Sequence, residues 1–243
     1  SRVDDQGWTL WLMEQYDFVV DTLHDADIRR GELSAYDAII LPNHPGREIL
    51  QGNAPGTMPE PYVGGLGAEG VTRLQRYVEG GGTLIAFDES TSLPMDHFGI
   101  PVRNAVGDLP PEDFFVPGSL IRTDVETDHP FAAGMQAEVA AAFSQSRAFE
   151  IVRLPRVAEG GMETTPEAPE PPVEVVARYA RDNLLMSGWA MGEERYLAGE
   201  PAMVNVALVL FGFRPQFRGQ PRGTYKLLFN AIQRAATGAR PAM

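Results

Sequence analysis

Few residues in this chain are of the type and placement that could carry out chemistry. Asp88-Glu89-Ser90 is the first group, standing directly after the apolar run Thr83 to Phe87. Two neighbouring carboxylates can bind a cation or share acid and base roles. A serine hydroxyl becomes a nucleophile when a base such as His97 or His129 activates it. The ordinary structural alternatives are an acidic turn and a helix N-cap, where Asp and Ser are favoured. His44 lies just after another apolar run, Ala38 to Leu41. A single imidazole there makes neither a metal site nor a dyad. Arg214, Arg218 and Arg222 cluster near the C-terminus and could grip a carboxylate or phosphate through paired hydrogen bonds. They could equally pair with the chain's surplus acids or with a neighbouring domain.

The elements that must position these groups follow from hydrophobic period. Val71, Leu74, Tyr77 and Val78 recur at three- and four-residue spacing, which predicts a helix over Ala68 to Glu79. Gly80-Gly81-Gly82 ends it, and Thr83 to Phe87 reads as a strand covered on both faces. Asp88-Glu89-Ser90 then falls at a strand's carboxyl end, where open α/β sheets gather ligands and catalytic groups. Gly7 to Tyr16 reads as a helix, Phe18 to Leu23 as a short strand and Asp25 to Gly31 as a polar or single helical turn. Ala38 to Leu41 reads as a buried strand, Asn43 to Gly67 as one long Gly/Pro-rich connection, and Ser92 to Ile100 as an irregular, partly buried segment. Phe114 to Ile121, Ala137 to Ile151 and Val173 to Ala180 read as strands or extended segments, and Thr224 to Ala236 as an amphipathic helix. Glu159 to Pro172 has the Pro/Glu/Thr content of a mobile surface loop.

Two places read as though residues were missing. An α/β domain normally begins with a strand, yet the chain enters its first helix almost at once. Either that strand lies outside this sequence or residues belong between Val3 and Asp4. Met203 to Phe213 is long for one strand and has no turn residue near Ala207-Leu208, so a turn is expected to be absent there.

Composition limits the function classes. The 243 residues suit one α/β domain. A formal net charge of −13 and pI near 4.7 argue against nucleic acid or an anionic membrane as a partner. With no cysteine there are no disulfides, thiolate metal sites or thiol nucleophiles. No apolar run approaches the roughly 18 residues of a membrane span. The expected fold class is α/β: an open, mainly parallel sheet with flanking helices and a β-rich later portion.

The segments GWTLWLMEQYDF (7–18), YDAIILP (36–42), YVGGLGAEGVTRLQRYVEGGGTLIAFD (62–88) and FGFRPQFRGQPRGTYKLLFNAI (211–232) together resemble a known family. It is the class I glutamine amidotransferase-like (flavodoxin-like) domain found at the C-terminus of some secreted carboxypeptidase-A-like zinc peptidases. Amidotransferases of this class carry a cysteine after the central strand. Here Asp88-Glu89-Ser90 stands there, so glutamine hydrolysis is not implied. The peptidases bind zinc through His-x-x-Glu and a distant His, and no histidine of this chain begins such a motif. The resemblance therefore implies a non-catalytic accessory domain without cofactor of its own, in a secreted or periplasmic protein. Zinc would belong to an upstream peptidase domain of the same polypeptide, the expected partner, and a homo-oligomer is a further possibility. The alternatives are an independent hydrolase working through Ser90 or Asp88, and a sugar-binding relative using the 43–67 loop as a rim.

Overall fold

The computed structural model describes residues 4–59, 63–152 and 172–238. Helix α1 (Asp4–Gln15) is followed by α2 (Asp25–Arg30), strand β1 (Ala38–Leu41), α3 (Gly46–Gln51), α4 (Gly67–Glu79) and β2 (Thr83–Phe87). A 3-10 turn over Asp88–Thr91 leads into α5 (Ser92–His97) and β3 (Val102–Asn104). Then come β4 (Ser119–Val125), β5 (Glu138–Phe143), β6 (Phe149–Ile151), β7 (Glu174–Tyr179) and β8 (Leu185–Ser187). A short helix α6 (Glu193–Tyr196), strands β9 (Pro201–Asn205) and β10 (Val209–Phe211), and α7 (Tyr225–Ala236) complete the chain.

The main sheet runs in the order β1-β2-β10-β9-β7-β4-β5, with β8 added on β4, while β3 and β6 form a separate pair. β1, β2 and β10 are parallel, and the later strands extend the same sheet in antiparallel fashion. The α/β sheet with flanking helices and its β-rich later portion are thus present. The later strands widen the sheet.

Alternation along β2 divides the core in two. Ile85 and Phe87 face one cluster with Leu12 and Met13 of α1 and Leu227 and Leu228 of α7. Leu84 and Ala86 face the other, with Ile28 of α2 and Val71 and Leu74 of α4. Each strand residue points opposite to its neighbour, so a strand buried on both faces must be apolar throughout. That is why TLIAF suits an interior strand, paired with β1 on one side and β10 on the other. The end of α4 also needs its glycines: Gly81 has φ 91°. A Cβ on Gly82 would come within 2.2 Å of the Tyr77 ring, whose hydroxyl donates to Tyr36 O at 3.1 Å.

Several local expectations are corrected. Phe18 to Leu23 forms no strand; among the described residues it has no ladder partner. The 43–67 connection is broken by α3, whose first residue Gly46 packs so close to Ser92 that a Cβ would sit 2.4 Å from its hydroxyl. Ser92 to Ile100 is helical over α5, because Pro94 stands in its first turn, where no amide hydrogen is required. In Phe114 to Ile121 the strand begins only at Ser119. Met203 to Phe213 does turn within the residues present: β9 and β10 pair antiparallel, with Ala207 at the tip at φ 62°. An alanine in left-handed backbone hides the turn from composition. The Glu159 to Pro172 loop lies, except for Pro172, outside the described residues.

Candidate functional site

The carboxyl ends of β1, β2 and β10 meet in one polar corner, and Asp88 is its centre. β2 stops at Phe87 and the backbone swings to φ 51° at Asp88, a left-handed value that costs a non-glycine residue on the order of 1 kcal/mol or more. The bend turns the carboxylate inward, where it is 1% exposed. Ser146 Oγ donates to Asp88 Oδ2 at 2.8 Å. Arg214 Nε lies 3.4 Å from the same oxygen, near enough for charge attraction but not aligned as a hydrogen bond. Burial pushes the Asp88 pKa up to about 7, against the pull of Arg214, the Ser146 hydroxyl and Arg147. Removing a carboxylate from water disfavours its charge more than these partners restore it.

Glu89 turns the other way. Its carboxylate reaches Arg147 Nη2 at 3.9 Å, and its amide donates to Asn43 Oδ1 at 3.0 Å. Ser90 is fully buried. Its hydroxyl accepts from Phe87 N at 2.9 Å and contacts Leu41 O at 2.9 Å and Phe87 O at 2.8 Å. This side chain ties the end of β1 to the end of β2. A hydroxyl spent on the backbone is a brace rather than an exposed nucleophile.

A second tier lies beneath. Asp5 of α1 accepts from the Asn43 amide at 2.7 Å and from Gln216 Nε2 at 3.1 Å. Gln216 also donates to Thr9 Oγ1 at 2.8 Å. Burial raises the Asp5 pKa, opposed by the Asn43 amide and the charge of Arg214. Tyr179 donates to Arg147 O at 2.7 Å, fixing the backbone that presents Arg147.

The sequence candidates are only partly brought together. Asp88, Glu89, Ser90 and Arg214 share the corner. Arg214 stacks over the Phe217 ring at 4.3 Å, whereas Arg218 is exposed, 5.3 Å from the centre of the same ring. The two guanidiniums thus share an aromatic ring, and only Arg214 reaches Asp88. His44 is half-exposed and pairs with Glu48 at 3.6 Å. Ser146, Arg147, Gln216, Asn43 and Asp5 were not singled out from sequence. Apart from the adjacent Ser146 and Arg147 they lie on separate segments, as much as 211 residues apart for Gln216 and Asp5; no periodicity links them. Among the described residues no three His, Asp or Glu side chains gather as a metal-binding group, and no helix is long and apolar enough to cross a membrane.

The corner retains unspent polar capacity. Asp88 Oδ1, Arg147 Nε, Arg214 Nε and Gln216 Oε1 are all buried without a hydrogen-bond partner. Chemically the arrangement is a buried carboxyl whose proton affinity is raised, with Arg214 beside it and Arg147 paired to its neighbour Glu89.

Solved structures share this fold. A candidate GMP synthase component from Thermoplasma acidophilum is similar over 95% of this chain and 87% of its own, at 12% identity and TM-score 0.54. A cytoplasmic protein from Salmonella typhimurium is similar over 93% and 85%, at 15% identity and TM-score 0.52. At this identity the likeness shows the fold alone, an α/β arrangement. No protein-family model matches the chain, and neither does any curated protein.

Proposed function

We propose that this chain is a non-catalytic, amidotransferase-like accessory domain that docks, positions substrate or mediates assembly for an enzyme. By the resemblance of its sequence segments, that enzyme is a secreted zinc carboxypeptidase whose catalytic domain lies upstream in the same polypeptide. One observation carries the reading. At the bend after β2, both side chains that could react, Asp88 and Ser90, are buried and engaged within the protein. A nucleophile must reach a substrate carbonyl and have a base beside it. Here the hydroxyl faces backbone, and the carboxyl faces Ser146 and Arg214. Both act to hold the corner together.

A second reading has an observation in its favour. A carboxyl with pKa near 7 is suited to acid–base work at neutral pH, which supports an independent hydrolase centred on Asp88. Purified chain incubated with p-nitrophenyl acetate, a dipeptide amide and glutamine separates the two. The accessory reading expects no product above buffer. Turnover abolished by both Asp88→Ala and Ser90→Ala would overturn it and establish the hydrolase.

A further inference from the structure

The outer face of the antiparallel strands carries an open depression of about 820 Å³. Alternation along β4 buries Ile121, Thr123 and Val125 and turns Arg122 and Asp124 outward. Register sets their neighbours: Asp124 stands between Glu138 of β5 and Arg178 of β7. Directly opposed residues share a face, so two acids and a base form one row across three strands. The turn from Arg181 to Asn183 and Gly199 ahead of β9 also line the depression. Tyr179, next to Arg178, points into the core instead, where its hydroxyl meets Arg147 O.

Few of these charges are spent within the protein. Arg122 is occupied: its Nε donates to Asn183 O at 3.0 Å, and its guanidinium pairs with Glu138. Asn183 presents that carbonyl from left-handed backbone at φ 52°. Arg178 spends one donor, Nη1, on Gly199 O at 3.2 Å. Gly199 has φ 80°, and a Cβ there would lie 3.4 Å from Arg181 Cζ. The guanidiniums of Arg178 and Arg181 therefore flank one residue. Each has five donors, and nearly all remain unspent. Among the described residues the side chains of Arg181, Asp124 and Asp182 make no hydrogen bond or ion pair. Asp124 and Arg178 are opposed in the ladder yet form no ion pair, because Arg178 leans towards Gly199. A gap is left between a doubly basic end and an acid.

The occupant of that gap must match charges of both signs. Phosphate would meet the two arginines but crowd against Asp124, one strand spacing of about 5 Å away. A simple cation meets the reverse conflict. A carboxylate and an ammonium on one short backbone satisfy both ends. The planar forks of arginine bind a carboxylate through paired hydrogen bonds, and Asp124 accepts from the ammonium. We propose that the depression binds a small zwitterion of peptide chemistry, either a free amino acid or a peptide of up to about three residues. Its carboxylate sits on Arg178 and Arg181 and its ammonium on Asp124. In a longer ligand the ammonium reaches Glu138, two strand spacings or about 10 Å from Arg178. Ala180 and Leu185 supply apolar wall for a side chain. The site uses neither Asp88 nor Ser90, so it stands under either reading of the corner.

Calorimetric titration of the full chain with alanine and with trialanine tests this, with N-acetylalanine, alanine amide and inorganic phosphate as controls. At least one of the two zwitterions should bind with a Kd of about 1 mM or tighter, and the tighter of them identifies the source. N-acetylalanine lacks the ammonium and alanine amide the carboxylate, so each should bind about tenfold or more weakly. Arg181→Ala and Asp124→Asn, both at exposed positions, should each weaken zwitterion binding by about tenfold or more, with urea unfolding confirming that the variants fold. Arg103→Ala, on the separate β3–β6 pair, should leave it unchanged. Any control bound as tightly as the zwitterions overturns the proposal, since one charge would then suffice. So does the absence of zwitterion binding, or binding that survives both Arg181→Ala and Asp124→Asn.

Discussion

Replacing Asp88 with asparagine tests the electrostatics of the corner directly. The Asp88 pKa rises from an ordinary 3.8 to about 7 in the fold. At about 1.4 kcal/mol per tenfold change in proton affinity, this corresponds to on the order of 4 kcal/mol. The folded state thus holds the proton more tightly than the unfolded chain. Its contribution to stability is complete below about pH 4, is lost as pH rises towards 7, and is level above that. Asparagine keeps the shape and an acceptor for the Ser146 hydroxyl, and it never ionises. Asp88→Asn should therefore match the parent within about 1 kcal/mol at pH 4.5 and exceed it by about 2–4 kcal/mol at pH 8.5. Urea unfolding of both proteins across that range measures the difference. Asp5 and Glu200, whose pKa values are also raised, are common to both and largely cancel. If the variant is less stable at pH 8.5 by an amount that does not vary with pH, the carboxylate is ionised in the fold. The attraction of Arg214 and Arg147 would then outweigh the cost of burial, and the reasoning fails.

Further substitutions probe the scaffold around it. Ser90→Ala removes the hydroxyl that joins β1 to β2 and should cost about 1–3 kcal/mol in urea unfolding. Gly82→Ala drives a methyl into the Tyr77 ring and should cost about 1–3 kcal/mol, seen as a lower melting temperature. Ala207→Gly relieves the left-handed turn between β9 and β10 and should stabilise by up to about 1 kcal/mol in the same assay. Arg214→Ala should lower the melting temperature clearly more than Arg218→Ala, because only Arg214 has a buried carboxylate beside it.

The sequence made the parallel half of the sheet legible because its signals are local. A helix-period stripe, three glycines and an apolar run place α4 and β2 to within a residue or two. The corner was legible only where it is local as well. Asp88, Glu89 and Ser90 follow a strand end, but the groups that fix their roles do not. Ser146 is 58 residues from Asp88, and its loop between β5 and β6 has no motif. The direction in which Asp88 points depends on one backbone angle. Phe18 to Leu23 shows the converse. Its Phe-Val-Val composition reads as strand, yet a strand is a property of a pair. A segment with the right propensity and no neighbour stays without a ladder.

The corner is closed at the end of β1 by Asp5 and Asn43, which join α1 to the sheet. Asp5 stays buried because Gln216, from the turn beyond β10, holds it from the other side. Breaking this joint with Asp5→Ala should consequently speed exchange of the Asn43 and Glu89 amides together, since Asn43 donates to Asp5 and accepts from Glu89.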